Sequence, residues 1–272
     1  MIELPEALTL AKQLNEAVAG KTVSRVLPPS KPHKFCWFNG DAANYEEKIK
    51  GMQIIDAAAF GIYVEIGFEN DCRLCINDGV NVRLVTVGNV PDKYQLVIAF
   101  TDNTALVFTV AMYGGIVLHD GSYDNEYYLK SKAGISPFSE DFLHYFDMKF
   151  AESKPKLSAK AFLATEQRFP GIGNGTAQDI LFAAGINPKR KIETFTKFDA
   201  DRLRTATVAT LRIMTDCGGR DTEKDIYGQT GGYVTKMSKT TVMSGCPICG
   251  GDITKESYLG GSVYYCVHCQ PL

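Results

Sequence analysis

Apolar positions change rhythm twice along this chain of 272 residues. Over 5–19 they follow a helical stripe of Leu8, Ala11, Leu14 and Val18, stopped by Gly20. From Thr22 onward they come in short β-branched runs broken by turn residues, at 22–27, 53–58, 61–68, 73–76, 82–87, 94–100 and 105–110. Thr101-Asp102-Asn103-Thr104 joins the last two runs as a hairpin. Seven short strands with no helix between them predict a β-sandwich or barrel. A helix near 140–150 closes this half. A polar, proline-bearing linker at 151–155 follows, and then the helical period returns, with helices predicted over 158–169, 176–184 and 199–217. The stretch 218–238 is polar and glycine-rich and reads as a loop. The pattern predicts an α+β fold in three parts: an N-terminal β-sandwich with flanking helices (1–150), a helical unit (151–240) and a terminal hairpin (241–272).

The hairpin carries the most specific chemistry. Cys246-Pro247-Ile248-Cys249 is followed by sixteen residues and then Cys266-Val267-His268-Cys269. Two Cys-x2-Cys turns on facing strands bring four thiols to one point, the donor set of a tetrahedral Zn²⁺ site. Sulfur fills all four positions, so no place is left for water and the metal is structural. His268 stands between the last two cysteines and is an alternative ligand. Cys72 and Cys75 lie in an apolar run and read as buried thiols rather than as half of a second site.

Composition excludes several classes. With 45% hydrophobic and 22% charged residues the chain is ordinary globular protein, and no run of eighteen apolar residues offers a membrane span. The acidic start, Met1-Ile2-Glu3-Leu4-Pro5-Glu6, lacks a signal pattern, which points to the cytosol. The net charge of −2 hides an asymmetry. Residues 1–150 hold 13 Lys+Arg against 19 Asp+Glu (13 − 19 = −6), and residues 151–272 hold 16 against 12 (16 − 12 = +4). The second half is the one suited to meet a polyanion.

Phe169-Pro170-Gly171-Ile172-Gly173-Asn174-Gly175-Thr176 sits between two predicted helices. Glycines at alternate positions permit tight turns, and a helix that starts there offers free N–H groups to a phosphate. This reads as a helix–two turns–helix module. Asn174 is its candidate phosphate contact or helix cap, and Gly173 and Gly175 supply the backbone amides. Lys34-Phe35-Cys36-Trp37-Phe38 reads as a buried strand, with base stacking as the alternative. His119-Asp120 reads as a surface turn after a strand.

Taken in order, the Met-x-Glu-Leu-Pro-Glu start, the β-rich half, Pro170 to Gly175, Leu181-Phe182-Ala183-Ala184-Gly185-Ile186-Asn187-Pro188 and the hairpin ending Tyr264-Tyr265-Cys266 … Cys269-Gln270 resemble the formamidopyrimidine-DNA glycosylase / endonuclease VIII family of base-excision repair proteins. The resemblance spans the chain. It implies a monomer that binds double-stranded DNA at a damaged base or abasic site and flips the nucleotide out of the stack. It also implies excision by an N-terminal proline amine that attacks C1′ and forms a Schiff base, while the next residue, here Glu3, handles protons.

The match at the reacting positions is partial. Ile2 stands where the amine nucleophile is expected, Ile62 where a phosphate-holding lysine is expected, and Gly261 where the hairpin's arginine is expected. Met112-Tyr113-Gly114 replaces an Arg-Phe-Gly loop that fills the vacated gap in the duplex. Each lost charged phosphate contact is worth ~1.5–3 kcal/mol. The resemblance therefore implies a glycosylase that hydrolyses the N-glycosyl bond with AP-lyase activity weak or lost. The alternative is a catalytically degenerate module that only binds DNA.

Overall fold

The computed structural model describes residues 1–69 and 71–272. Helix α1 (Leu4–Val18) opens the chain, with Pro5 in its first turn and the Glu6 carboxylate accepting the Glu3 N–H at 3.1 Å. There follow β1 (Val23–Leu27), β2 (Cys36–Trp37), α2 (Tyr45–Ile49), β3 (Ile54–Phe60), β4 (Tyr63–Phe68), β5 (Arg73–Ile76), β6 (Val80–Thr86), β7 (Leu96–Phe100), β8 (Thr104–Val110) and β9 (Gly114–His119). These strands make two sheets, ordered β1-β7-β8-β6 and β2-β9-β5-β4-β3. Alternate residues of the two sheets meet in one core: Val64, Ile66, Leu74 and Leu118 from one, Val82, Ile98, Leu106 and Phe108 from the other. Leu10, Leu14 and Val18 of α1 close the end of this sandwich.

Two strands lie outside the seven β-branched runs. β9 is central to its sheet, pairing antiparallel with β5 and parallel with β2. It begins Gly114-Gly115, a pair that reads as a turn, and is buried throughout, so it shows no alternation. β2 is two residues long, and the run around it is not a buried strand. Phe35 and Trp37 are 48% and 52% exposed, because an edge pairing of two residues leaves their rings outside the core.

After the sandwich strands come α3 (Glu126–Lys132), α4 (Phe142–Ala151), α5 (Ala159–Ala164), α6 (Asn174–Ala183), α7 (Lys197–Asp216) and the hairpin β10 (Ile253–Tyr258) with β11 (Gly261–Cys266). The helix expected to close the sandwich, α4, packs elsewhere. Its Phe142 and Phe146 join Phe162, Phe169, Ile180, Leu203 and Leu211 in the helical core. Leu4 enters that same core while Ile2 enters the sandwich core, so α1 starts at the seam of the two.

The loop over 218–238 is pinned rather than free. Ile226 is fully buried in the sandwich core. Its carbonyl accepts the Leu84 N–H at 2.9 Å, and the Gln13 amide donates to Asp225 at 2.9 Å. Among the described residues no helix is long and apolar enough to cross a membrane.

Candidate functional site

The glycine-shaped corner leads into α6, whose first residue is Asn174 with Gly173 as its N-cap. The amides of this corner do not point into solvent. The Glu3 carboxylate accepts N–H bonds from Gly173 (3.2 Å), Gly175 (2.9 Å) and Thr176 (2.7 Å). An anion-binding helix start is present, as the glycine spacing implied, but its anion comes from the protein's own N-terminus. This corrects the reading of Gly173 and Gly175 as free phosphate donors and explains both glycines. A Cβ on Gly173 would lie 2.6 Å from the Glu3 carboxyl carbon, and one on Gly175 would overlap the Arg220 guanidinium.

Arg220 is the member of the site that sequence reading missed. Nearly fully buried, it bonds Glu6 through two nitrogens (3.0 and 2.8 Å), lies 3.3 Å from a Glu3 oxygen, and donates to the Met1 carbonyl at 3.1 Å. Burial pushes the Glu3 pKa up, but the Arg220 charge and the bonds from Thr176 and Gly175 outweigh it and hold the carboxyl below its ordinary range. Glu3 is thus a fixed anion between a helix start and a guanidinium. The clue in the sequence was slight: a single arginine after Gly218-Gly219 in an otherwise acidic stretch.

At the tip of the chain the Met1 ammonium pairs with Glu223 at 2.5 Å. The Ile2 side chain is buried, and its peptide N–H donates to the Asp78 carbonyl at 2.6 Å. Position 2 therefore presents an engaged amide where the family pattern has an amine. Ile62 packs with Phe60, Tyr63 and Tyr128. The preceding Gly61, at φ +56°, presses so closely on Ser131 and Pro170 that a Cβ would meet them at 2.8 and 3.0 Å.

Asn174 joins the corner to the hairpin. Its Nδ2 donates to the Ser262 carbonyl at 3.1 Å, and its Oδ1 has no partner among the described residues. One turn on, the Gln178 side chain accepts the Tyr264 N–H at 2.7 Å and donates to the Asn174 carbonyl. Gly261 faces the Asn174 amide at ordinary contact distance, so no arginine leaves the hairpin at that point.

The four cysteine sulfurs Cys246, Cys249, Cys266 and Cys269 all lie within 4.8 Å of one another. Two of the separations are 3.7 Å (Cys246–Cys269) and 3.5 Å (Cys249–Cys266). A tetrahedron with Zn–S bonds near 2.3 Å has an edge of about 3.8 Å, so the donors fit a metal ion of that kind. Burial raises the Cys246 thiol, but the amides of Cys249 and Ile248 bring it down to about 7. Cys269 is pushed up to about 12, first by burial and then by its sulfur neighbours. A bound dication relieves that conflict between thiolates. The exposed His268 ring stands beside Gly251 and lies outside the cysteine group.

His119 is buried, which corrects its reading as a surface turn. It stacks on Tyr123 and lies 3.4 Å from Glu65, which also holds Tyr128 and Lys132. This cluster fastens α3 to the outer face of the five-stranded sheet.

Comparison with known proteins agrees with this architecture. No family model matches the chain. It is 28% identical over 278 residues to the formamidopyrimidine-DNA glycosylase of Wolbachia sp. subsp. Brugia malayi (strain TRS), covering 99% of this chain and 100% of the relative. Identity is 26% over 282 residues to the enzyme of that name from Lactobacillus delbrueckii subsp. bulgaricus, covering 99% of each. Among solved structures, the Lactococcus lactis Fpg in complex with abasic-site DNA superposes with a TM-score of 0.86 at 21% identity, over 99% of this chain and 100% of that one. The wild-type L. lactis protein with DNA containing N7-benzyl-Fapy-dG gives 0.85 at 22% over the same shares. From its first helix to its cysteine hairpin, the chain is similar to the formamidopyrimidine-DNA glycosylases and has the fold of the Lactococcus lactis protein.

Proposed function

We propose that this protein binds duplex DNA at damaged bases or abasic sites and excises the damaged base by hydrolysing its N-glycosyl bond, with AP-lyase activity weak or lost. The observation that carries the reading is the docked unit of α6 and hairpin. The corner, Asn174, Ser262, Gln178 and Tyr264 form one rigid surface in the basic half of a chain that matches DNA glycosylases from end to end. Asn174 is the residue assigned to a DNA phosphate. Its Nδ2 donor bonds the Ser262 carbonyl, and a phosphate oxygen would take that donor in place of the carbonyl. The cysteine cluster holds one structural Zn²⁺ that keeps the hairpin in register with α6. The protein works as a monomer in the cytosol of a bacterial cell.

The lyase step is discounted for a local reason. A Schiff base needs a free amine at the reacting carbon. With Met1 retained, residue 2 contributes a hydrogen-bonded peptide N–H and the Met1 ammonium is paired with Glu223; with Met1 removed, the Ile2 amine would be free to attack. Two assays on one duplex series test the proposal. Binding to a duplex with a tetrahydrofuran abasic analogue should weaken steeply with salt as counterions are released. Borohydride should trap no adduct on an abasic duplex while damaged base is released. A flat salt response overturns DNA binding, and efficient trapping overturns the loss of lyase chemistry.

A second reading, a module that binds without excising, is favoured by one observation. Glu3 is wholly engaged by three amides and Arg220 and has no oxygen to spare for a proton at the sugar. Binding of the tetrahydrofuran duplex with no release of any damaged base is the result this reading requires.

A further inference from the structure

A cavity of about 190 Å³ opens at the tip of the chain, lined among others by Met1, Asp78, Asn81, Met112, Glu223 and Lys224. Three carboxylates reach its wall: Glu6, Asp78 and Glu223. Two are taken. Glu6 is clamped by Arg220, and Glu223 holds the Met1 ammonium. The third has no hydrogen-bond donor on its carboxylate among the described residues, yet its backbone is fixed from three sides. The Asp78 carbonyl accepts the Ile2 N–H at 2.6 Å, the Gly79 N–H donates to Tyr113 at 3.1 Å, and the Asn77 side chain accepts the Gly115 N–H at 2.7 Å. Asp78 itself sits in the left-handed region at φ 52°, a conformation that costs free energy in a non-glycine residue and persists where its surroundings impose it.

We infer that the Asp78 carboxylate is the general base of a water-mediated glycosyl hydrolysis, standing beside the N-terminus in place of the missing amine. This rests on the glycosylase reading above and assigns its attacking group. A water held by Asp78 attacks C1′ of the flipped nucleotide. As the new C1′–O bond forms, Asp78 takes the water's proton and the C1′–N bond breaks. The bonding pair leaves with the base, which acquires a proton from solvent, and Asp78 returns its own proton to solvent. The sugar ends as a C1′ hemiacetal, and no covalent bond to the protein forms at any stage.

The surroundings suit the task. Burial raises the Asp78 pKa, and the N-terminal ammonium opposes the rise only in part, which moves the group toward the range of an effective base. The charged and titratable groups that face it are Met1, Glu6, Glu223 and Lys224 across the cavity, Tyr63 from β4 and Tyr113 from the loop between β8 and β9.

The experiment is single-turnover base release, read by mass spectrometry, from duplexes carrying 8-oxoguanine, a formamidopyrimidine or 5-hydroxycytosine, alongside affinity for the tetrahydrofuran duplex. Asp78→Asn is near-isosteric and asparagine tolerates the same φ. It should slow release by ~10²–10⁴-fold, the usual worth of a general base, with tetrahydrofuran affinity unchanged. Asp78→Glu should recover part of the rate. The wild-type rate should fall tenfold per pH unit below the Asp78 pKa, and the residual Asp78→Asn rate should lack that limb. If Asp78→Asn releases base as fast as wild type, the role of Asp78 is overturned and the glycosylase reading stands. If Asp78→Asn loses tetrahydrofuran binding as well, Asp78 is a structural residue and the inference is overturned. If wild type binds the tetrahydrofuran duplex but releases nothing from any duplex, both the inference and the hydrolase reading fall and the binding module remains.

Discussion

The corner at α6 and the tip of the chain lie within a few residues of each other, through Glu3, yet they are built on opposite principles. At the corner the charges have partners inside the protein: Glu3 meets three amides and Arg220 meets two carboxylates. At the tip stand Ile2 and Met112, both uncharged, and one carboxylate is left without a donor among the described residues. The helix start and the cysteine cluster are built from structural contacts. Reacting groups can therefore be exchanged while the fold persists.

The harshest way to break this comparison is to remove the metal site. Cys249→Ser should abolish stoichiometric metal binding and melt the hairpin, since structural zinc contributes roughly 10–16 kcal/mol of apparent binding free energy. Near-ultraviolet circular dichroism and metal analysis would report it, and duplex binding should vanish with the hairpin. Arg220→Met comes next. It leaves Glu3 and Glu6 buried beside each other, and loss of one partner from a buried ion network costs about 3–5 kcal/mol, measurable as a lower urea midpoint.

Acid sharpens the comparison further. The folded pKa of Glu3 lies below its unfolded value, so its contribution to stability is complete above the ordinary glutamate range near about 4.3 and is lost as pH falls through the folded value. Urea midpoints between pH 6 and 3 should show this loss in the wild type. In Glu3→Gln that component should be missing and stability lower at pH 6. The smallest effect is expected at Asn174. Asn174→Ala should weaken duplex binding by about 1–3 kcal/mol with the fold intact, which calorimetry and a thermal melt would separate. If the melt falls as far as it does for Arg220→Met, Asn174 is a structural tie and the phosphate role is wrong.

Much of this was legible in the chain. The stripe of α1, seven of the nine sandwich strands and the cysteine spacing all rest on local periodicity or short-range geometry. What escaped was long-range. Arg220 meets Glu6 across 214 residues, and no window of sequence contains both. Ile226 fills the sandwich from a stretch whose neighbours are polar, so a lone apolar residue carried no period. β9 is buried on both faces and starts with two glycines, which removed the alternation that marks a strand. At the corner the glycine spacing was read as a phosphate site, and the structure places the Glu3 carboxylate on its amides. The error lay in assigning the anion to a ligand, when Glu3 is 170 residues away in sequence and in contact in space.

Ile2 and Leu4 sit two positions apart and are rooted in different cores. Two residues span at most about 7 Å, so the two cores cannot draw apart here unless one side chain is pulled out, at about 1.5–3 kcal/mol. The peptide that rivets them is also the one that carries Glu3 into the mouth of α6.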